Sequence, residues 1–407
     1  MAGTRRAAAA LALCLLCGCT PAQDAAAPAT TAIPTPTPTT PAQDTETLLE
    51  RMTLREKVGQ LFFVRPDALD PTQTPEQIEE PDAAGVTALT PSMEEMLAQY
   101  PVGGVVLFGK NLTDPDQLTD FSAALRSAGR VPLLLSVDEE GGAVARLAGN
   151  DAFHLPTYES AAAVGAQGPQ AVTGMSATIG SYLAGFGIGL DFAPVADVNT
   201  NPDNPVIGSR AFSQDPSIAA KAVAAAVEGF HSAGVACTLK HFPGHGDTAA
   251  DSHDGAVTTL KNWEELRDCE LQPFVAGIAA GADAVMAGHI NTPNATDDGL
   301  PASLSRTMLT DRLRGELGFD GVILTDSLSM GAITDRYTPG EAALLALDAG
   351  ADILLMPEDL AQAFEAVETA VKTGRLEESR LDQSVTQILQ LKSRCGLLEE
   401  GGSDANR

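Results

Sequence analysis

The chain has 407 residues, 44% of them hydrophobic and 4% aromatic, with 25 basic against 54 acidic side chains and a formal charge of −29. That length holds one large α/β barrel or two average domains, and the apolar fraction suits a sizeable core. So acidic a chain is repelled by phosphate backbones, which excludes nucleic acid as a natural partner.

The N-terminal stretch MAGTRRAAAALALCLLCGCT sets Arg5 and Arg6 before an apolar run from Ala7 to Cys17. The run is too short to span a bilayer and reads as a secretory signal. It ends in Leu16-Cys17-Gly18-Cys19, which resembles a bacterial lipobox and makes Cys19 the expected lipid-modified residue. Cys17 departs from that pattern, where a small residue or Val is usual. Thr20 to Thr47 is almost wholly Ala, Pro, Thr, Gln and Asp, a composition that builds no core and reads as a disordered tether. The expected organisation is a signal peptide over 1–18, a lipidated linker over 19–47, a globular domain over 48–397 and a disordered tail over 398–407. It implies an extracytoplasmic protein that meets the membrane through a lipid anchor only, or a secreted one without the lipid. In the globular part only Cys237, Cys269 and Cys395 remain. An odd number does not make a disulfide framework, so these are expected as buried or free thiols.

From Leu48 onward, apolar runs alternate with helical patterns. The runs are QLFFV from Gln60, GGVVLF from Gly103, PLLLSV from Pro132, LDFAPV from Leu190, VACTLK from Val235, ADAVMA from Ala282, GVILT from Gly321 and ADILLM from Ala351. Continuous apolar runs bounded by Gly or polar turns predict strands covered on both faces. Between them, DPDQLTDFSAALRSAG and DPSIAAKAVAAAVEGFHSAG open on Asp-Pro and close on Gly, and SRTMLTDRLRGELGF offers Ser305 as a cap. These are helix start and stop signals. Arg65 to Tyr100 reads as a surface insertion with a short helix, and Leu381 to Leu397 as a closing helix. Eight strands alternating with helices predict a single (β/α)8 TIM-type barrel, an α/β fold; a doubly wound sheet shows the same alternation.

In a barrel, polar residues just past each strand gather at the C-terminal mouth, where chemistry is placed. Lys110, Asp138, Asp197, Lys240, His241, His289, Asp326 and Glu358 hold such positions. The stretch GVVLFGK at Gly104 matches a phosphate-loop spacing, but its interior is an apolar strand and Asn111 stands where Ser or Thr would bind magnesium. In KHFPGHGDTAADSHDG, His241 and His245 are four apart, yet Pro243 and Gly244 between them argue against a shared helical face. A metal site needs three or four convergent ligands, so no metal is expected there. Gly244 and Gly246 after a strand predict a mobile catalytic loop instead. Asp326, in LTDSLSM, is equally placed for catalysis or for capping the next helix.

KHFPGHGDTAADSHDG, LTDSLSMGAI, SVDEEGGAVARL and NPVIGSRAF together resemble the family 3 glycoside hydrolases of the bacterial β-N-acetylglucosaminidase type, over about Leu48 to Leu397. The resemblance implies a retaining exo-β-N-acetylglucosaminidase without cofactor, acting on terminal N-acetylglucosamine of glycans such as peptidoglycan fragments or muropeptides. It implies Asp326 as nucleophile and His253 as general acid/base, with Asp251 paired to His253. It makes Asp138, Arg146, Arg210, Lys240 and His241 sugar-binding residues, with His245 and Asp247 shaping the loop. His154, His231 and His289 receive no role. Two other readings stand beside it: a phosphorylase, since a neutral histidine does not repel phosphate, and a non-catalytic surface protein that binds glycans. Oligomeric state is not read from the sequence.

Overall fold

The computed structural model describes residues 42–249 and 257–398. Cys19 and residues 20–41 of the expected tether, Asp251, His253 and residues 399–407 lie outside the described residues. The end of the expected disordered tether, 42–47, is instead helical, within Ala42–Glu50, with Thr45 buried.

All eight apolar runs contain strands: β1 Phe62–Val64, β2 Gly104–Leu107, β3 Leu134–Val137, β4 Leu190–Asp191, β5 Ala236–Phe242, β6 Ala284–Ala287, β7 Val322–Thr325 and β8 Leu354–Leu355. They form one parallel sheet in the order β7-β6-β5-β4-β3-β2-β1-β8. The strand ends meet where Leu324 bridges Ile353 in parallel, so the sheet closes as the (β/α)8 barrel that the alternation predicts. This seam is narrow, and a side chain reinforces it. Asp352 accepts from the Ile323 amide at 3.0 Å and from Arg314 Nη2 at 2.5 Å, and Ser384 Oγ donates to its other oxygen at 2.6 Å.

The strands are short because only their middles are shared by inside and outside layers. Phe62 and Phe63 point to opposite faces and both are fully buried, each contributing ~2–3 kcal/mol by area. That two-sided burial is why these runs read as continuous apolar rather than alternating. The helices follow their sequence signals. Asp114 caps Pro115–Ser127 by accepting from the Gln117 amide, and Asp215 caps Pro216–Ser232 by accepting from Ser217 and Ile218. Each helix starts with Pro, whose missing N–H is not needed there. Ser305 Oγ accepts from the Met308 amide at 3.2 Å. The Thr307–Glu316 segment that follows is wound as a π-helix, with Met308, Leu309 and Leu313 buried. The closing helix runs Glu378–Arg394.

The 65–100 segment carries more structure than one short helix. It holds a 3-10 turn at Pro66–Leu69 and helices at Pro75–Glu79 and Pro91–Gln99. Asp67, fully buried, accepts from the Val86 amide and from Asn111 Nδ2 at 3.0 and 2.8 Å. Lys110 Nζ donates to the Gln77 and Ile78 carbonyls, each at 2.7 Å. Lys110 and Asn111 thus anchor this segment, and Gly104–Leu107 is a barrel strand rather than a phosphate cradle.

Candidate active site

The C-terminal ends of β3 and β5 meet through charge. Lys240 Nζ, almost fully buried, donates to Asp138 Oδ1 at 2.5 Å and lies 2.6 Å from Glu140 Oε1. Glu140 in turn takes a bidentate grip from Arg210, at 2.8 Å from Nε and 2.7 Å from Nη2. Burial pushes the Glu140 carboxyl up, but Lys240 and Arg210 outweigh it and hold it at about 2. Glu140, Lys240 and Arg210 are therefore charged, and the four side chains are mutually paired, which is the condition for keeping buried charges. Asp138 and Arg210 are the partly exposed members of this quartet, with 19% and 17% of their side chains accessible.

Lys240 is aimed by an irregularity. The β5–β6 register shifts between Leu239 and Phe242, and the Lys240 carbonyl accepts from the Ala196 amide at 2.6 Å. Bulges of this kind re-aim side chains beside functional sites. His241 comes next, and Asp197 sets its orientation. Asp197, fully buried, accepts from His241 Nδ1 at 2.8 Å, from the His241 amide at 3.3 Å and from the His245 amide at 2.7 Å. With Nδ1 committed to the carboxylate, Nε2 is the ring atom left to face a ligand. His245 Nδ1 meets Thr248 Oγ1 at 2.7 Å. Burial, and then the neighbouring His241, lower its pKa. The His241 and His245 rings lie edge to face, 5.9 Å between centroids.

The turn after β5 differs from its expectation. Gly244 and Gly246 are buried, and their role is close packing rather than mobility. A Cβ at Gly246 would sit 1.9 Å from the Val198 carbonyl oxygen, and one at Gly244, with φ +129, would meet Glu270 Cβ at 2.6 Å. Asn204 Nδ2 braces the turn from outside, donating to the carbonyls of His245 and Thr248 at 2.9 and 3.0 Å. Asp247 ties its two sides, accepting from Thr259 Oγ1 at 3.2 Å and lying 3.4 Å from Lys261 Nζ. Lys261 also pairs with the buried Glu270. The residues on either side of 250–256 are thus fixed to each other.

Asp326 follows β7, half-buried, with Oδ1 accepting from the Ser327 amide at 2.8 Å and its own amide donating to the Ala287 carbonyl at 2.8 Å. It does not cap the next helix, whose N-cap is Met330. His289, fully buried, donates from Nε2 to the Ser327 carbonyl at 2.8 Å, with Nδ1 at 2.7 Å from Ser303 Oγ. It steadies the backbone beside Asp326.

Of the expected sugar-binding residues, Asp138, Arg210 and Lys240 share one network, and His241 adjoins it in the chain. Arg210 also donates from Nη1 to the Val206 carbonyl at 3.2 Å, so three of its five N–H groups hold protein. Arg146 stands apart over the Phe108 ring, 5.5 Å from its centroid, and its buried Nε has no protein partner among the described residues. Glu139 places it, because its carboxylate accepts from the Leu147 and Ala148 amides at 2.8 and 2.9 Å. Asp251 and His253 fall in the undescribed segment.

Sequence reasoning passed over Glu139, Glu140 and Asp191 and gave Asp197 no role. Their signal was acidic residues inside or just after apolar runs, as in SVDEEGG, LDFAPV and PVADV. Asp191 is fully buried and accepts from the Glu139 amide at 2.9 Å. Burial holds its carboxyl well above the ordinary range.

A closed parallel barrel with one carboxylate after β7 and a charged cradle spanning β3 to β5 has the layout of a glycoside hydrolase. Comparison with known proteins agrees: residues 53–391 match the glycosyl hydrolase family 3 N-terminal domain. The chain belongs to that family. It is 35% identical over 340 residues to a protein of Pseudoalteromonas piscicida named beta-hexosaminidase A, covering 76% of this chain and 56% of that one. It is 41% identical over 288 residues to a beta-hexosaminidase of Stenotrophomonas maltophilia, covering 69% of this chain and 84% of that one. A solved family 3 beta-N-acetylglucosaminidase from a Paenibacillus species superposes with a TM-score of 0.76 at 38% identity, over 87% of this chain and 65% of that one. The chain thus spans little more than half of the Pseudoalteromonas relative and most of the Stenotrophomonas one.

Proposed function

We propose that this glycoside hydrolase is a retaining exo-β-N-acetylglucosaminidase, with Asp326 as nucleophile and His253, oriented by Asp251, as general acid/base. The observation that carries the reading is the pairing of a half-buried carboxylate after β7 with the Lys240-Asp138-Glu140-Arg210 cradle across the mouth. The names of the relatives support the acetamido sugar.

The chemistry runs in two steps. Asp326 attacks the anomeric carbon while His253 protonates the departing oxygen, giving a glycosyl ester and a free aglycone. Water then attacks the same carbon, His253 takes its proton, and the ester breaks with net retention. The Ser327 amide holds one Asp326 oxygen and so fixes the orientation of the carboxylate. Asp138 accepts sugar hydroxyls, while His241 Nε2 and Arg146 donate to the sugar. The cradle is charged before substrate arrives, so it needs no reorganisation in the transition state.

Peptidoglycan fragments are the proposed natural substrates, and lipidation at Cys19 would hold the enzyme outside the cytoplasm at the membrane. What supports this location is the N-terminal sequence, with its basic start, apolar run and Leu16-Cys17-Gly18-Cys19.

The decisive experiment compares nitrophenol release from the β-N-acetylglucosaminide and the β-glucoside, with Asp326→Ala as control. Preference for the acetamido sugar, abolished in the variant, is expected. Activity on neither sugar would overturn the reading, and sugar 1-phosphate formed on adding phosphate would make the enzyme a phosphorylase.

A further inference from the structure

At the opposite end of the barrel, three side chains from three elements converge. His231 lies in the last turn of Pro216–Ser232, Cys237 is the second residue of β5, and Asp283 immediately precedes β6. Their ligand atoms all lie within 4.8 Å of one another. Cys237 is fully buried, Asp283 is 7% exposed, and the His231 side chain is 37% exposed. None of the three takes part in the sugar chemistry.

We infer that His231 Nε2, Cys237 Sγ and one Asp283 oxygen form a binding site for a borderline-soft divalent cation of the zinc class. The donor set is one imidazole, one thiolate and one carboxylate, which suits Zn(II) or Co(II) in a tetrahedron and not the all-oxygen shells of magnesium or calcium. Metal bonds of about 2.0–2.3 Å set tetrahedral ligand atoms about 3.3–3.8 Å apart. Closing from the present spacing asks for shifts of about an ångström, and His231, at an exposed helix end, is free to make them.

The two Asp283 oxygens already divide the work. Oδ2 faces His231 Nε2 at 2.8 Å and the Cys237 amide at 3.1 Å, whereas Oδ1 is held by Arg394 Nε at 3.2 Å. Oδ2 is the ligand, and Arg394 orients the carboxylate from outside, as second partners of metal ligands do. The ion replaces the thiol proton and the proton shared by His231 and Asp283, so its two charges are balanced by thiolate and carboxylate. A cavity of about 520 Å³, lined by His231, Asp283, Asp320, Gln390 and Arg394, opens onto the group. It supplies the entry path and room for water as the fourth ligand. An occupied site ties Pro216–Ser232 to the starts of β5 and β6, as a staple under the strand whose other end carries Lys240 and His241.

The test is metal titration of the chelator-stripped full chain, with no reference to activity. Zinc is expected to bind with one-to-one stoichiometry and to raise Tm by roughly 3–4 °C when present about a hundredfold above Kd. Cobalt is expected to give a thiolate-to-metal charge-transfer band with tetrahedral visible absorption. Cys237→Ser should abolish the charge-transfer band, and His231→Gln should weaken binding at least about tenfold. His231→Gln alters an exposed residue, so it remains informative if the buried cysteine variant folds poorly. Absence of stoichiometric binding in the wild type overturns the inference. So does a thiolate band that survives Cys237→Ser, which would place the metal on other cysteines, or full affinity in His231→Gln.

Discussion

In the proposed mechanism Asp326 and His253 do different things, and their variants separate them. Asp326→Ala removes the only route to the glycosyl ester, so kcat is expected to fall by about 10⁴-fold or more on every substrate, read as nitrophenol release. His253→Ala is expected to slow substrates with poor leaving groups about 10²–10⁴-fold and to spare the first step with activated aryl glycosides. Equal losses on both substrates would remove His253 from the acid/base role. Asp197 acts one step back, as a positioning residue. It fixes the His241 ring and two backbone amides at 2.7–3.3 Å. Asp197→Asn presents an amide where an ionised acceptor stood, and kcat/KM should drop by about 10²-fold with the change concentrated in KM. The His241 role was implied by resemblance to the KHFPGHG motif. The Asp197 role was not legible, because a partner 44 residues away leaves no local spacing to read.

At the scale of the element, the turn after β5 shows how composition misleads. Two glycines in GHG suggest freedom, but both are packed against backbone or side chains, Gly246 against the Val198 carbonyl most tightly. Gly246→Ala has to push the β4 and β5 loops apart. It is expected to destabilise the fold by about 1–3 kcal/mol and to displace the adjoining loop enough to lower kcat by about 10²-fold. Urea unfolding and steady-state rates check the two effects separately, and unchanged values in both would contradict the packing role. The 65–100 segment was read as an insertion because its Pro- and acid-rich composition hides burial. Asp67, which it buries completely, is legible only once Asn111 and Lys110 are brought to it by the barrel.

At the scale of the whole molecule, one fully buried lysine among the described residues has no carboxylate against it. Lys392 is fully buried in the closing helix and donates to Gln60 Oε1 at 2.6 Å and the Pro132 carbonyl at 2.8 Å. Burial pulls its pKa down to about 7 from the ordinary 10.5. Between those two values the unfolded chain binds a proton that the folded chain does not, so this group makes stability rise with pH. The difference is on the order of 4–5 kcal/mol. Lys392→Met loses two hydrogen bonds at every pH but removes that dependence. Its stability relative to wild type is therefore expected to improve by several kcal/mol from pH 10 down to pH 7, measured by urea unfolding. A constant gap across that range would show that Lys392 titrates normally.

By itself the sequence determined the strands, because two-sided burial forces unbroken apolar runs, and it determined most helix starts, because caps are local. It determined the family as well, since the motifs around β5 and β7 are contiguous. Only tertiary structure decided that the sheet closes into a barrel, through the Leu324–Ile353 seam. It alone decided which acids serve the site. Glu140 meets Arg210 and Lys240 from 70 and 100 residues away, and Asp283 meets His231 across 52. Electrostatic pairing depends on distance in space, and a barrel brings together strand ends that the chain keeps far apart.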